Sequence, residues 1–121
     1  MANTNIASAT SILGNTVYGS LSTSLTEVLE NAASSNTIVK VNSVVISNVD
    51  GTNAADVTAR LSTASGGSYV TIAHLITVPA KTNLVLISAD MRIYLTEDKA
   101  LNIQASANSD LNYCISYEVI S

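Results

Sequence analysis

The chain has no tryptophan and no phenylalanine, one cysteine, one proline and one histidine among its 121 residues, and only 12% of those residues are charged. Each shortage excludes something. Without Trp or Phe the core must be aliphatic, drawn from Val, Ile and Leu with a few tyrosines. A lone Cys114 cannot close an intramolecular disulfide, and no Cys/His grouping has metal-ligand spacing, so the fold is expected to stand on its core alone, with no cofactor. Five Lys and Arg against nine Asp and Glu give a net charge of −4 with no basic cluster, which argues against nucleic acid as a partner. The densest apolar run, Leu84-Val85-Leu86-Ile87, is far short of the ~20 residues needed to cross a bilayer, so no membrane partner is expected. Residues 1–5 have neither the basic nor the apolar region of a secretory signal, so export by that route is not expected.

Against these shortages stand an apolar content of 47% and a mean hydropathy of +0.34, too apolar for a disordered chain. The length fits one domain. Residues 1–15 are Ala, Asn, Thr and Ser with isolated Ile6, Ile12 and Leu13, a composition that reads as an extended arm. From Thr16 onward, short β-branched segments alternate with Asn, Gly, Asp and Ser clusters at intervals of roughly 8 to 12 residues, the pattern of an all-β sandwich. The expected fold is therefore a single antiparallel β-sandwich, jelly-roll or Ig-like, over residues 16–121, with the arm at 1–15.

The expected strands are 16–21, 26–30, 38–48, 56–63, 68–77, 83–88 with 91–95, 101–105 and 111–120. In the third, Val39 and Val41 share one parity and Val44 and Ile46 the other, so a β-bulge near Asn42-Ser43 is needed to keep all four facing inward. Residues 22–33 admit two readings. Ser24-x-x-Glu27 fits a capping box and Leu21, Leu25 and Leu29 recur at helical spacing, whereas a turn at 31–36 favours a strand, which is the preferred reading. Core positions are expected at Val39, Val41, Val44, Ile46, Val57, Leu61, Leu84, Leu86, Ile93, Leu95, Leu101, Ile103, Tyr113 and Ile115.

The inventory for chemistry is thin. His74 shares the parity of Val70 and Ile72 and reads as a half-buried histidine bonded to a neighbour, and Cys114 as a small buried or semi-buried thiol with no base tied to it. Placing Gly51 at the glycine of a calcium loop puts Ile46 at the first ligand position and Val57 at the last, so that comparison fails. An irregular cation site of Asp50, Asn53 and Asp56 competes with simple Asx-turn capping, which is preferred. No phosphate-loop, zinc-protease or nucleophile-elbow motif occurs, and no catalytic residue is expected.

Several blocks carry a more specific signal: Val44-Val45-Ile46-Ser47-Asn48, Asp50-Gly51-Thr52-Asn53-Ala54-Ala55-Asp56-Val57, Val78-Pro79-Ala80-Lys81-Thr82-Asn83-Leu84-Val85-Leu86, Ile93-Tyr94-Leu95-Thr96-Glu97-Asp98, Ile103-Gln104-Ala105-Ser106-Ala107-Asn108 and the ending Ile115-Ser116-Tyr117-Glu118-Val119-Ile120-Ser121. In that order they resemble small β-sandwich virion proteins of tailed phages, particularly of marine cyanobacteria, over about two-thirds of the chain. The chain departs from that pattern in the acidic turn, where it has Lys99-Ala100 and the family usually has a Gly or an Asp-Ser pair.

The resemblance implies a non-enzymatic structural role in the virion, first as a capsid decoration or cement protein that binds the major capsid protein lattice as a homo-oligomer. A neck or a tail or fibre component is the alternative within that class. A carbohydrate-binding module, resting on the sandwich and on tyrosines such as Tyr94, Tyr113 and Tyr117, is the alternative outside it. Partner contacts are expected from the arm, at Ile6, Ile12 and Leu13, and from a loop, at Asp50 and Asn53.

Overall fold

A computed structural model describes residues 5–121. After a single 3-10 turn at Ile6–Ser8, nine strands follow: β1 (Ile12–Ser20), β2 (Thr26–Asn31), β3 (Ile38–Asn48), β4 (Ala55–Ser62), β5 (Tyr69–Val78), β6 (Asn83–Ile87), β7 (Ile93–Leu95), β8 (Lys99–Ala105) and β9 (Leu111–Ile120). They form two antiparallel sheets, one in the order β1-β9-β3-β6 with β7 also on β3, the other in the order β2-β8-β4-β5. The sheets pack face to face on an aliphatic core.

The connectivity decides between the two expected sandwiches. Strands β6 and β7 pair with successive parts of β3, Ser47 to Val44 and Val41 to Val39, and so act as one interrupted strand. The pairs are then nested: β1 with β9, β2 with β8, β3 with β6 and β7, β4 with β5. A long hairpin rolled up on itself produces this nesting, which is the jelly-roll and not the Ig arrangement.

The bulge in β3 falls where the parity change requires it, with a register shift against β9 between Val41 and Ser43, and Val39, Val41, Val44 and Ile46 are all buried. Residues 26–31 are strand. A second bulge between Glu27 and Leu29 lets the consecutive Val28 and Leu29 both be buried, while Leu25 stays exposed, so the helical spacing of leucines marks no helix face.

Several expectations are corrected. The boundary of the arm at residue 15 falls inside β1, whose Ile12 and Leu13 pair with Ile120 and Val119. Backbone N–H groups of Thr10 and Ser11 also donate to the Ser121 carbonyl, at 2.8 and 2.9 Å, so the segment is held by its own C-terminal strand. Of the expected core, Leu61, Leu84, Leu86, Ile93 and Tyr113 are only partly buried and pack on its margin. Ile87 is fully buried in place of its neighbour Leu86. Lys99 and Ala100 open β8 rather than a turn, because Asp98, at φ 60°, completes the reversal before them.

Two buried asparagines tie the layers together. Asn31, ending β2, donates from Nδ2 to the Leu95 carbonyl of the opposite sheet at 2.9 Å and to the Thr37 carbonyl at 2.8 Å, while its Oδ1 accepts the Ser35 and Thr37 hydroxyls. Asn48, ending β3, donates to the Val78 carbonyl at 2.8 Å and to the Asn53 carbonyl at 3.0 Å. Each satisfies carbonyls that the sandwich would otherwise bury unpaired.

Candidate functional site

The loop between β3 and β4 is organised by one carboxylate. Asp50 Oδ1 accepts the backbone N–H groups of Thr52 at 2.7 Å and Asn53 at 3.1 Å, and Oδ2 accepts Asn53 Nδ2 at 3.3 Å. These bonds to the ionised form, the two backbone donors first, hold the Asp50 carboxyl below the ordinary carboxylate range. Asn48 Oδ1 in turn accepts Asp50 N–H at 2.9 Å. The oxygens a cation would need are thus turned onto amides of their own loop, the Asx-turn arrangement. Asp56 is engaged elsewhere, accepting the Thr77 hydroxyl at 2.8 Å. Among the described residues no group of three or more His, Cys, Asp and Glu is placed to hold a metal ion.

The five expected contact residues do not form one patch. Ile6 lies in the 3-10 turn, and Ile12 and Leu13 open β1 beside Ile120, which pairs with Ile38 at the start of β3. Asp50 and Asn53 follow Asn48 at the other end of the same strand. At ~3.3 Å per residue, β3 separates the two groups by roughly 30 Å.

His74 and Cys114 are both exposed, contrary to the expected half-buried positions. For His74 the reason is a register shift between β4 and β5: Val70 is opposite Leu61, but Ala73, not His74, is opposite the buried Ala59. The two side chains belong to different sheets, His74 on β5 and Cys114 on β9, so they form no nucleophile–base pair.

A feature invisible in the sequence is a cleft of about 490 Å³ at the open side of the sandwich, where β4 and β5 of one sheet diverge from β7 of the other. Leu61, Val70 and Leu95 form its apolar wall, Tyr69 and Tyr94 stand at it, and Ser62, Thr63, Ser68, Thr96 and Lys99 complete the lining. The Arg60 guanidinium lies 4.5 Å from the centre of the Tyr69 ring and steadies it by a cation–π contact. Asp98 fixes the neighbouring loop by accepting Ser65 N–H at 2.9 Å and the Ser65 hydroxyl at 3.2 Å. Of these residues the sequence singled out Leu61 and Leu95 as core positions and Tyr94 as a strand tyrosine; that Tyr94 and Tyr69 line one cleft depends on which edges of the two sheets coincide.

The sandwich also leaves long apolar edges open. Ile12, Leu13 and Tyr18 of β1 are exposed, as are Tyr69, Val70, Ile72, Leu75 and Ile76 of β5. Neither strand carries Lys, Arg, Asp or Glu. In comparisons with known proteins, no family model and no curated protein sequence matches the chain.

Proposed function

We propose that the chain is a non-enzymatic structural protein of a phage virion, serving as a decoration protein on the major capsid protein lattice. The observation that carries this reading is the pair of long, charge-free strand edges with exposed apolar side chains. Such edges suit a protein that adds contact area to an assembly. The ordered sequence blocks from Val44 to Ser121 support the same class. So does the jelly roll, by analogy of fold alone, since it recurs in capsid domains.

Copy number tests the reading directly. Quantitative mass spectrometry of purified particles should find hundreds of copies per head; a handful would assign the protein to a neck or tail ring, and none would overturn the virion role. Removing residues 2–9 leaves β1 whole, whereas removing residues 2–13 also takes Ile12 and Leu13 from the sheet. The shorter deletion is therefore the one that reports on Ile6 as a lattice contact.

The cleft favours a second reading, carbohydrate binding at its rim, because the exposed rings of Tyr69 and Tyr94, flanked by hydroxyls, each offer a stacking face with hydrogen-bond partners. Binding on a glycan array that is lost in both Tyr69→Ala and Tyr94→Ala would support it.

A further inference from the structure

Among the described residues, strand β1 lies at the edge of its sheet and is bonded on one side only, to β9. The phase of its hydrogen bonds is fixed at both ends. Ser11 and Ser121 exchange N–H and carbonyl at 2.9 Å in both directions, and Leu21 N–H donates to the Leu111 carbonyl at 2.8 Å. Bonded and non-bonded pairs alternate in an antiparallel ladder, so the odd-numbered residues address β9. Ile12, Gly14, Thr16, Tyr18 and Ser20 turn their N–H and carbonyl groups to the free edge. One of those N–H groups, that of Thr16, already donates to the Asn15 side-chain oxygen at 2.8 Å, an exposed contact that an incoming strand has to displace.

Sheet edges are ordinarily blunted by charge, proline, bulges or shortness. The other edges here have such devices: β2 carries Glu27, Glu30 and a bulge, β5 is interrupted by two register shifts, and β6 and β7 are short. Strand β1 has none of them. Its nine residues hold no charge and no proline, and its register with β9 runs without a shift.

We infer that β1 pairs with β1 of a second copy, antiparallel, about a two-fold axis through Thr16. Symmetric pairing requires each residue and its partner to have the same hydrogen-bond phase, so the axis must pass through a residue and not between two. Thr16 is the middle of the nine, and the register centred on it pairs the whole strand. That register sets Ile12 opposite Ser20, Leu13 opposite Gly19 and Tyr18 opposite Gly14. Each bulky exposed side chain meets a small residue.

A Cβ built on Gly14 would have nothing within 4 Å, so the space above it is open to the partner's Tyr18. Over Gly19 lies Tyr113, its hydroxyl 3.0 Å and its ring edge 3.2 Å from a Cβ built there, so the partner's Leu13 meets that ring edge beside the hydroxyl. Ile12, Leu13 and Tyr18 are 59%, 64% and 77% exposed. Together they present roughly 400 Å² per chain, about 800 Å² for a pair, to which the strand's backbone edge adds toward the ~1,200 Å² at which stable interfaces begin. No charge on the strand opposes its copy.

The pairing concerns the chain by itself and holds whether or not the virion reading does, since the test uses the purified full-length protein without particles. Analytical ultracentrifugation up to about 100 µM should show a monomer–dimer equilibrium. Thr16→Lys, which sets two ammonium groups face to face, should raise the dimer dissociation constant about tenfold or more, whereas Thr26→Lys on β2 should not. In a Cys114→Ser background, Thr16→Cys should give a disulfide-linked dimer under mild oxidation and Thr26→Cys should not. Opposed Cα atoms in a bonded pair lie ~5.5 Å apart, within disulfide range. A chain that stays monomeric throughout, or a dimer that neither weakens with Thr16→Lys nor cross-links through Thr16→Cys, overturns the inference.

Discussion

Strands β8 and β5 belong to the same four-stranded sheet, and β5 is the longer and the more apolar, yet β8 is the one that is buried. Ala100, Leu101, Asn102, Ile103 and Ala105 of β8 are shielded, against only Ala73 and Val78 of β5. The difference is position. β8 lies between β2 and β4, whereas β5 has β4 on one side and, among the described residues, no strand on the other. Val70 and Ile76 stand opposite the core-lining Leu61 and Val57, and so face the inside of the sandwich, yet they remain open to solvent. Apolar composition gives a strand the capacity to be buried; its neighbours determine whether it is.

The sharpest test of this contrast is truncation on each side of it. Ile103→Ala should cost about 2 to 5 kcal/mol in chemical denaturation, because Ile103 is wholly enclosed and its cavity cannot be filled by solvent. Val70→Ala, by contrast, should stay within about 0.5 kcal/mol. Leu86→Ala should fall between the two, since Leu86 only packs on the margin of the core. A cost at Val70 equal to that at Ile103 would mean that something covers β5 in solution.

Asn31→Ala should cost about 1 to 3 kcal/mol by the same measurement, mostly through stranding the buried Leu95 carbonyl. Asn31→Asp, nearly the same size, should not restore stability, because it replaces the donating Nδ2 by an acceptor.

The smallest effects concern the two surface carboxylates. Burial, then the hydrogen bond and charge of Glu30, push the Glu27 pKa above its ordinary 4.5. A raised acid favours the fold only while protonated, so its contribution is present below pH 4.5 and is lost as pH rises through the shifted value. Glu27→Gln should therefore raise the melting temperature slightly at pH 7 and leave it unchanged at pH 3. Asp50 has the opposite sign: lowered from 3.8, its contribution is present above that pH and fades as the carboxyl protonates below it. Carboxyl NMR titration of both residues checks the two directions together.

Much of the fold was legible because strand periodicity is local. The bulge at Asn42 followed from two apolar pairs of opposite parity, Val39 with Val41 and Val44 with Ile46, and β3 and β9 begin and end where their alternation does. Residues 12–15 misled because Gly14 and Asn15 are poor strand formers; a nine-pair ladder with β9 overrides that preference. His74 misled for another reason. Parity counted from Val70 assumes an unbroken strand, whereas the register shift between Thr71 and Ala73 breaks it before His74 is reached. The Asp50 turn was legible, since an Asx residue caps its own loop. Its separation from Ile12 and Leu13 was not.

The sequence by itself determined that the chain is all-β, that its core is aliphatic, and where most reversals fall, because these depend on side-chain type and on contacts a few residues apart. Only the tertiary structure decided that β1 closes on β9, ninety or more residues away in the chain, and that β2 closes on β8 inside it. That nesting sets the apolar β5 at an open edge, brings Tyr69 and Tyr94 to the lining of one cleft, and leaves the charge-free flank of β1 without a partner strand among the described residues. A period of two tells which face of a strand is apolar; which strand lies beside it is fixed by how the whole hairpin rolls up, and no local pattern encodes that.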